Sequence, residues 1–139
     1  MSIQRTLTII KPDAVAAGHM GDIIKIFEAR EFKIVAARLV NLSKKEAEGF
    51  YAVHRGKLFF ADLTDFMSSG SALVMVLEGE SIISRLRDTM GATNPEKAAP
   101  GTIRKLFATS VQNNCVHGSD APETAAFEMG YFFPGIALI

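Results

Sequence analysis

An α+β fold, with helices packed on one four-stranded antiparallel sheet, is the class that this sequence predicts. Segments with the period and composition of strands alternate with segments of helical period, and no repeat or Pro/Gly/Ser-rich linker divides them. The chain has 139 residues, of which 48% are hydrophobic. That length and composition suit one compact domain with a substantial core, so we expect residues 1–139 to form a single domain.

The chain begins with a strand, a helix and a second strand. TLTII (6–10) alternates, is rich in β-branched residues and stops at Lys11 and Pro12, which indicates a strand. GDIIKIFEAR (21–30) places its large apolar residues on one helical face. FKIVAARLVNL (32–42) predicts the second strand.

Two helical segments follow as an insert. SKKEAEGFY (43–51) opens with Ser43 and Glu46 at the spacing of a capping box. FFADLTDFMSSG (59–70) is helix-like, and we expect Gly70 to end it. Both helices lie between the second and third strands.

The third strand is the continuous apolar run ALVMVLEG (72–79), the best candidate for a buried strand. SIISRLRDTMG (81–91) predicts a helix with Ser81 as its N-cap. A polar loop with two prolines follows at 91–101, and loops of this length in compact domains tend to be functional. NNCVHG (113–118) predicts the last, short strand.

DAPETAAFEMG (120–130) predicts the final helix, with Asp120 as its cap and Pro122 in its first turn. The order of elements is therefore the ferredoxin-like βαββαβ pattern with a helical insert. The apolar tail YFFPGIALI (131–139) is expected to pack on its own domain or on a neighbouring subunit. Many unrelated functions share this architecture, so function has to be argued from individual residues.

Charge and cysteine content argue against several classes of function. Lys+Arg and Asp+Glu both number 15, so a net charge of zero gives no overall attraction to nucleic acid or to an anionic membrane. The single cysteine, Cys115, cannot form an internal disulfide, and no signal-peptide or membrane-spanning pattern is visible. We therefore expect a cytoplasmic protein with neither a membrane nor a specific nucleic-acid partner. Cys115 is predicted to be a buried, unreactive thiol.

His117 is the histidine that the sequence best presents for chemistry. It follows an apolar strand-like run and precedes Gly118, which permits a turn and leaves space above the ring. The local pattern alone still favours a histidine that is satisfied within the core. His19 lies in a loop and His54 just past a helix, and both are expected to be solvated surface residues.

Three carboxylates follow His117 along the chain, namely Asp120, Glu123 and Glu128. By spacing alone, any of them could bond one ring nitrogen, fix the tautomer and leave the other nitrogen as a nucleophile. Strict strand alternation places Asn114 on the face opposite His117. The two side chains can share a ligand only if regular pairing begins after Asn114.

A nucleophilic histidine without a partner serine or cysteine suggests transfer of a phosphoryl or other anionic group. The chain lacks GxxxxGK[ST] and the protein-kinase loops, so phosphates would need separate cations. The candidates are Lys11, Arg87 and Arg104, with Thr93 as a hydroxyl donor, although each cation is by default a solvated surface charge. Metal-ligand spacing is absent, whereas Mg²⁺ carried on substrate phosphates is compatible with these residues.

Six segments spread over nearly the whole chain point to one family. They are TLTIIKPDAV, GDIIKIFEAREFKIVAARL, LFFADLTDFMSSG, VMVLEG, GATNPEKAAPGTIR and NNCVHGSDAPETAAFEMG. In this order and spacing they resemble nucleoside diphosphate kinase, and HGSD preceded by TNP and PGTIR is the most specific part. The tail is shorter than the C-terminal segment of many members.

The resemblance implies an activity and its partners. The family transfers the γ-phosphoryl group of a nucleoside triphosphate to a nucleoside diphosphate by a ping-pong mechanism through a phosphohistidine. Low base specificity allows it to maintain nucleoside triphosphate pools. The resemblance also implies Mg²⁺, bound mainly through nucleotide phosphates and water, and a homo-oligomer that is a hexamer or a tetramer.

Roles for individual residues follow from the same resemblance. His117 matches the nucleophile, Glu128 the acid that orients it, and Ser119 the residue beside that pair. Tyr51 matches a tyrosine near the transferred group. The other matches are nucleotide contacts: Lys11 and Asn114 to ribose hydroxyls and the nearby phosphate, Arg87, Thr93 and Arg104 to phosphates, and Phe59 to the base by stacking.

Two other classes of function share the predicted fold. An RNA-binding module of the RRM kind places aromatic residues on its sheet, but TLTII and ALVMVL carry none. On spacing alone, Phe59 and Phe60 suit the core better than a base-stacking platform, although one of the two rings has to face away from the other. A regulatory ligand-binding domain without catalysis gives no reason for His117 and the three cations to occur together.

Overall fold

The computed structural model describes residues 2–135, and its centre is a four-stranded antiparallel sheet. The strands are β1 (Ile3–Ile10), β2 (Lys33–Asn41), β3 (Ser71–Glu80) and β4 (Val116–Gly118). The helices are α1 (Pro12–Ala16), α2 (Met20–Ala29), α3 (Lys44–Phe50), α4 (Phe60–Met67), α5 (Ile82–Met90), α6 (Ile103–Phe107) and α7 (Pro122–Phe132). Short 3-10 helices occupy Ala52–His54 and Pro95–Lys97.

The strand order β2-β3-β1-β4, with every neighbouring pair antiparallel, confirms the predicted ferredoxin-like sheet. β1 pairs along its whole length with β3, from Ile3 opposite Glu80 to Ile10 opposite Leu73. On its other side β1 pairs with only the three residues of β4. The last strand therefore lies at an edge of the sheet, where its side chains can reach a ligand.

Hydrophobic side chains pack on both faces of the sheet, because successive strand residues point in opposite directions. On one face, Ile10 packs with side chains from α2 and α5, including Phe27 and Leu86. On the other face, Leu7 and Ile9 pack with side chains from α3, α4 and α7. Each fully buried large side chain contributes about 2 kcal/mol, so both helical layers are held firmly against the strands.

The capping box predicted at the start of α3 is present. The Ser43 hydroxyl accepts a hydrogen bond from the Glu46 amide at 3.0 Å, and the Glu46 carboxylate accepts one from the Ser43 amide at 2.8 Å. These two bonds satisfy backbone donors that a helix start otherwise leaves free.

Of two other predicted helix boundaries, the start of α5 is at the predicted residue but lacks the side-chain cap, and the end of α4 is wrong. Ser81 does occupy the N-cap position of α5, but its side chain makes no capping bond, and its backbone is left-handed with φ of 48°. α4 ends at Met67 with Ser68 as its C-cap, so Gly70 is not the stop but lies just before β3.

The cap predicted for α7 is also wrong. Ala121 and not Asp120 is the N-cap residue. The Thr124 hydroxyl accepts from the Ala121 amide at 3.0 Å and donates to the Asp120 carboxylate at 2.7 Å. Asp120 is thereby bonded to a side chain of the first turn and does not cap the helix.

Candidate active site

His117 lies at the centre of the short edge strand β4. Regular pairing with β1 begins at Val116, after Asn114 as predicted. Cys115 lies between these two residues, and its left-handed φ of 72° breaks the alternation of side chains. The strand predicted over 113–118 begins later, at Val116, and ends at Gly118 as predicted, where Gly118 pairs with Thr8 of β1. A Cβ atom at position 118 would lie within about 3 Å of side chains on α5, so glycine lets the strand approach that helix closely.

One carboxylate oxygen connects β4 with α7. Oε1 of Glu128 lies 2.7 Å from Nε2 of His117 and also accepts a 2.7 Å hydrogen bond from the Ser119 hydroxyl. Of the three acids open by spacing, Glu128 is therefore the one that contacts the ring. An ionised carboxylate only accepts, so this pairing assigns the proton to Nε2 and leaves Nδ1 with a free lone pair.

Two aromatic residues enclose the imidazole. The rings of Phe50 and Tyr51 meet that of His117 edge to face, with centroids 5.5 and 6.2 Å away. Tyr51 is buried, and its hydroxyl has no hydrogen-bond partner among the described residues. Burial, with a smaller contribution from Glu128, raises the pKa of the Tyr51 hydroxyl, which therefore stays protonated as a potential donor.

His117 opens onto a cavity of about 210 Å³ that also contains two guanidinium groups. Arg87 from α5 and Arg104 from α6 line it, together with Thr93 from the loop between them. Glu128 lines the same cavity. A histidine with a free ring nitrogen thus faces a small space bordered by two cations, an arrangement suited to a phosphorylated ligand.

Arg104 is more constrained than a surface cation. It is only 7% exposed, and its guanidinium donates to the carbonyls of Asn114, Gly91 and Val116 at 3.3, 2.9 and 2.8 Å. Burial and the nearby Arg87 lower the pKa of Arg104 to about 10. Since a guanidinium has five N–H donors, these bonds hold the side chain in place and still leave donors for a ligand.

A second, larger cleft of about 550 Å³ adjoins the first, and Thr93 lines both. Phe59 lines this cleft and is 48% exposed, so the ring is available for stacking and does not belong to the core. Lys11 and Asn114 lie in the same cleft, where Nζ of Lys11 donates to Oδ1 of Asn114 at 2.9 Å.

Lys11 is an unusual cation because it is only 6% exposed. Burial, followed by the neighbouring Arg104 charge, lowers the pKa of Lys11 from its usual 10.5 to about 8. The structure thus concentrates positive charge in a region of low dielectric, where an anionic ligand gains more than it would at an open surface.

His54 is a site residue that the sequence did not reveal. The prediction of a solvated surface side chain is wrong, because the ring lines the His117 cavity and packs near Tyr51 and Phe59 at centroid distances of 6.2 and 5.3 Å. Partial burial and the Lys57 ammonium lower the pKa of His54. The available signal was its position three residues after Tyr51, which places both rings on one face of a tight 3-10 turn.

Cys115 and His19 both lie outside the two clefts. Cys115 is buried, and burial raises the pKa of its thiol to about 12, in line with the predicted unreactive role. His19 is not simply solvated, since its ring packs on Phe107 with centroids 4.5 Å apart.

Residues 2–135 contain no group of three or more His, Cys, Asp and Glu side chains that could hold a metal ion. None of the helices in this range is long and apolar enough to cross a membrane.

Comparison with known proteins identifies the family. Residues 4–137 match the family described as nucleoside diphosphate kinase. The nucleoside diphosphate kinase of Bordetella pertussis is 61% identical over 136 residues, which cover 98% of this chain and 96% of that protein. The enzyme of Syntrophotalea carbinolica is 58% identical over 137 residues, or 99% and 100% of the two chains. This chain belongs to the nucleoside diphosphate kinase family.

Solved structures of nucleoside diphosphate kinases have the same fold. The Aquifex aeolicus enzyme superimposes with a TM-score of 0.97 at 40% identity and covers 99% of this chain and 100% of its own. A halophilic nucleoside diphosphate kinase from Halobacterium salinarum, solved in complex with CDP, gives 0.94 at 35% identity, with 99% and 92% covered.

Membership of this family establishes the reaction class. Nucleoside diphosphate kinases transfer a phosphoryl group from a nucleoside triphosphate to a nucleoside diphosphate by a ping-pong route through a phosphohistidine. The protein is accordingly a phosphotransferase that binds nucleotides.

Proposed function

We propose that His117 is the residue that carries the phosphoryl group, and that it does so on Nδ1. The observation that carries this assignment is the 2.7 Å contact between Nε2 and Glu128, which leaves Nδ1 as the free nucleophilic nitrogen. Attack by Nδ1 on the γ-phosphorus forms an N–P bond, breaks the bond from the γ-phosphorus to the β–γ bridging oxygen and releases the nucleoside diphosphate, which leaves positive charge on the ring. The Glu128 carboxylate, held in turn by the Ser119 hydroxyl, stabilises the positive charge on the imidazole. The ring becomes neutral again when the phosphoryl group passes to the acceptor nucleotide.

The cations then bind the transferred group and its neighbours. Phosphoryl transfer asks mainly for positioning and for compensation of negative charge that spreads over the equatorial oxygens. Arg87, Arg104 and Thr93 supply these contacts from the cavity beside His117. The buried Tyr51 hydroxyl gains its missing partner when it donates to a phosphoryl oxygen.

The larger cleft holds the nucleoside. Lys11 and Asn114 contact the ribose hydroxyls and the adjacent phosphate, and Phe59 stacks on the base. A halophilic relative of the same fold was solved in complex with CDP, which supports nucleotide binding by this protein. Every base has a π-face, so stacking accounts for one site that accepts many nucleotides and maintains triphosphate pools.

Mg²⁺ suits this site as a companion of the nucleotide. The described residues offer no cage of carboxylates, whereas Asp120 is exposed and lines the cavity of His117. We infer that phosphates and water would hold the ion, and that the exposed Asp120 carboxylate would be available to a coordinated water. Bound in this way, Mg²⁺ neutralises phosphate charge during transfer.

Three broader features complete the proposal. Residues 1–139 form a single domain, as the family match over 4–137 supports. The chain assembles as a homo-oligomer, either a hexamer or a tetramer, for which exposed apolar side chains such as Leu39 and Phe127 provide surface. The enzyme works in the cytoplasm, consistent with its single, buried cysteine.

Labelling with ATP tests the assignment of the nucleophile. With γ-labelled ATP and Mg²⁺, we expect an acid-labile, base-stable label on the protein that GDP removes. His117→Gln should abolish the label, and His54→Gln should retain it. A label that persists in His117→Gln would show that another residue is the nucleophile.

A further inference from the structure

The cleft beside Phe59 contains two polar side chains without a role in the steps above. Its apolar lining comes from Phe59, Leu63 and Val111, and its phosphate and ribose contacts are assigned already. Asp62 and Gln112 remain. Both are exposed, so both can meet the edge of a base that stacks on Phe59.

Asp62 is well placed to contact such an edge. It follows Phe59 by three residues at the start of α4, a spacing that puts the two side chains on one face. Within residues 2–135 its carboxylate makes no hydrogen bond or ion pair, whereas Asp65, one turn further, pairs with Lys44 outside the cleft. The Asp62 carboxylate is therefore available to a ligand.

The chemistry of a carboxylate divides the bases into two groups. When ionised it only accepts hydrogen bonds. Cytosine, adenine and guanine each carry an exocyclic amino group that can donate to it. In uracil, thymine and hypoxanthine a carbonyl oxygen replaces this amino group, and a carboxylate repels it. Their ring N–H is still a donor, but it lies directly beside that oxygen, so a carboxylate that approaches it also meets the carbonyl. The Gln112 amide can turn to donate or to accept, and so it expresses no such preference.

We propose that Asp62 is a specificity-determining residue that favours nucleotides whose base carries an exocyclic amino group. The inference rests on the proposed placement of the base on Phe59. The preference is roughly three- to tenfold, the ratio expected from one net hydrogen bond at a solvent-exposed edge. Stacking supplies the affinity that all bases share, so every nucleotide is still converted.

Discharge of the isolated phosphoprotein measures this preference. CDP and UDP form one matched pair of acceptors, and ADP and IDP form another, because each pair exchanges an amino group for a carbonyl on a ring system of constant size. The second-order rate of label loss is measured for all four acceptors with the unaltered protein, Asp62→Asn and Asp65→Asn. Asp65→Asn removes the same charge from the same helix, but outside the cleft.

The expected result is a CDP/UDP ratio and an ADP/IDP ratio of roughly three to ten in the unaltered protein and in Asp65→Asn. Asp62→Asn should bring both ratios to within about twofold of one, since its amide can serve either kind of edge. Ratios near one in the unaltered protein, or ratios unchanged in Asp62→Asn, would overturn the role of Asp62 and leave the phosphohistidine intact. Failure to form any phosphoprotein would overturn both proposals.

Discussion

At the scale of single residues, the site depends on a few contacts between distant parts of the sequence. His117 and Glu128 are eleven residues apart, whereas Lys11 and Asn114 are 103 apart and share a buried hydrogen bond. The sequence identified all four as candidates through residue type and family resemblance. It did not reveal that His54 turns into the cavity, because that depends on how a 3-10 turn packs beside Tyr51.

Glu128→Gln tests how the carboxylate acts on His117. The amide can still accept from Nε2 and keep the ring in place, but it cannot balance the charge that develops on the imidazole. We expect kcat to fall about 10- to 100-fold with an unchanged fold. A coupled assay and circular dichroism measure the two quantities. Glu123→Gln, an exposed change on the same helix, serves as the control and should retain full activity.

Lys11 makes activity and stability respond to pH in opposite directions. Its pKa in the folded protein is about 8, so kcat/KM for nucleotides should fall as the pH rises through 8 and the ammonium loses its charge. Between this value and the usual 10.5, the unfolded chain binds more protons than the folded one, so Lys11 contributes increasing stability as the pH rises.

The measurement is a pH profile of kcat/KM beside urea unfolding at the same pH values. Lys11→Arg keeps its charge at all these pH values and should lose the fall near pH 8. A profile of kcat/KM that is the same in the unaltered protein and in Lys11→Arg would exclude Lys11 as its cause.

At the scale of elements, the hydrophobic pattern predicted every strand and the main helices, because burial on two faces imposes a simple period. Cap positions were less predictable. Ser81 and Asp120 both have side chains that commonly cap helices. The left-handed backbone of Ser81 keeps its side chain from capping α5, and the Asp120 carboxylate accepts a hydrogen bond from the Thr124 hydroxyl instead. Such outcomes depend on local backbone angles and competing partners, which residue type does not specify.

The turn that ends α5 requires a glycine at position 91. Gly91 has a φ of 87°, and a Cβ atom there would lie 2.5 Å from the Thr102 hydroxyl oxygen. Its carbonyl also accepts from Arg104. We expect Gly91→Ala to lower the free energy of unfolding by about 2 kcal/mol and to weaken nucleotide binding by displacing Arg104.

Urea unfolding at fixed protein concentration, with nucleotide titration, measures both effects. Gly130→Ala is the matched control, because this glycine lies inside α7 with open space around it. Alanine there should stabilise the protein by roughly 0.5–1 kcal/mol. Equal effects of the two substitutions would contradict the specific role of the turn.

At the scale of the whole molecule, a ferredoxin-like sheet leaves β2 at one edge and β4 at the other. The short β4 edge carries the catalytic candidate, while the nine-residue β2 edge and exposed apolar side chains provide surface for the proposed assembly. The sequence predicted this architecture and, through the family resemblance, a homo-oligomer, but it did not distinguish a tetramer from a hexamer, because interfaces depend on surface shape. In the apolar tail predicted at 131–139, Phe132 and Phe133 pack in the core of their own domain, whereas 136–139 lie outside the described residues.

Light scattering coupled to size exclusion tests the assembly. The chain mass is 15.1 kDa, so a tetramer or a hexamer should give four or six times that value at micromolar concentration. A mass of one chain across that concentration range would contradict the proposed homo-oligomer.

The most direct test of the proposed mechanism is to determine which ring nitrogen of His117 carries the phosphoryl group. After reaction with ATP and Mg²⁺, the phosphoprotein is digested in alkali, and the phosphohistidine isomer is identified by chromatography and ³¹P NMR. We expect the isomer phosphorylated on Nδ1, because Glu128 holds Nε2 at 2.7 Å. Phosphorylation on Nε2, or on any residue other than His117, would contradict it.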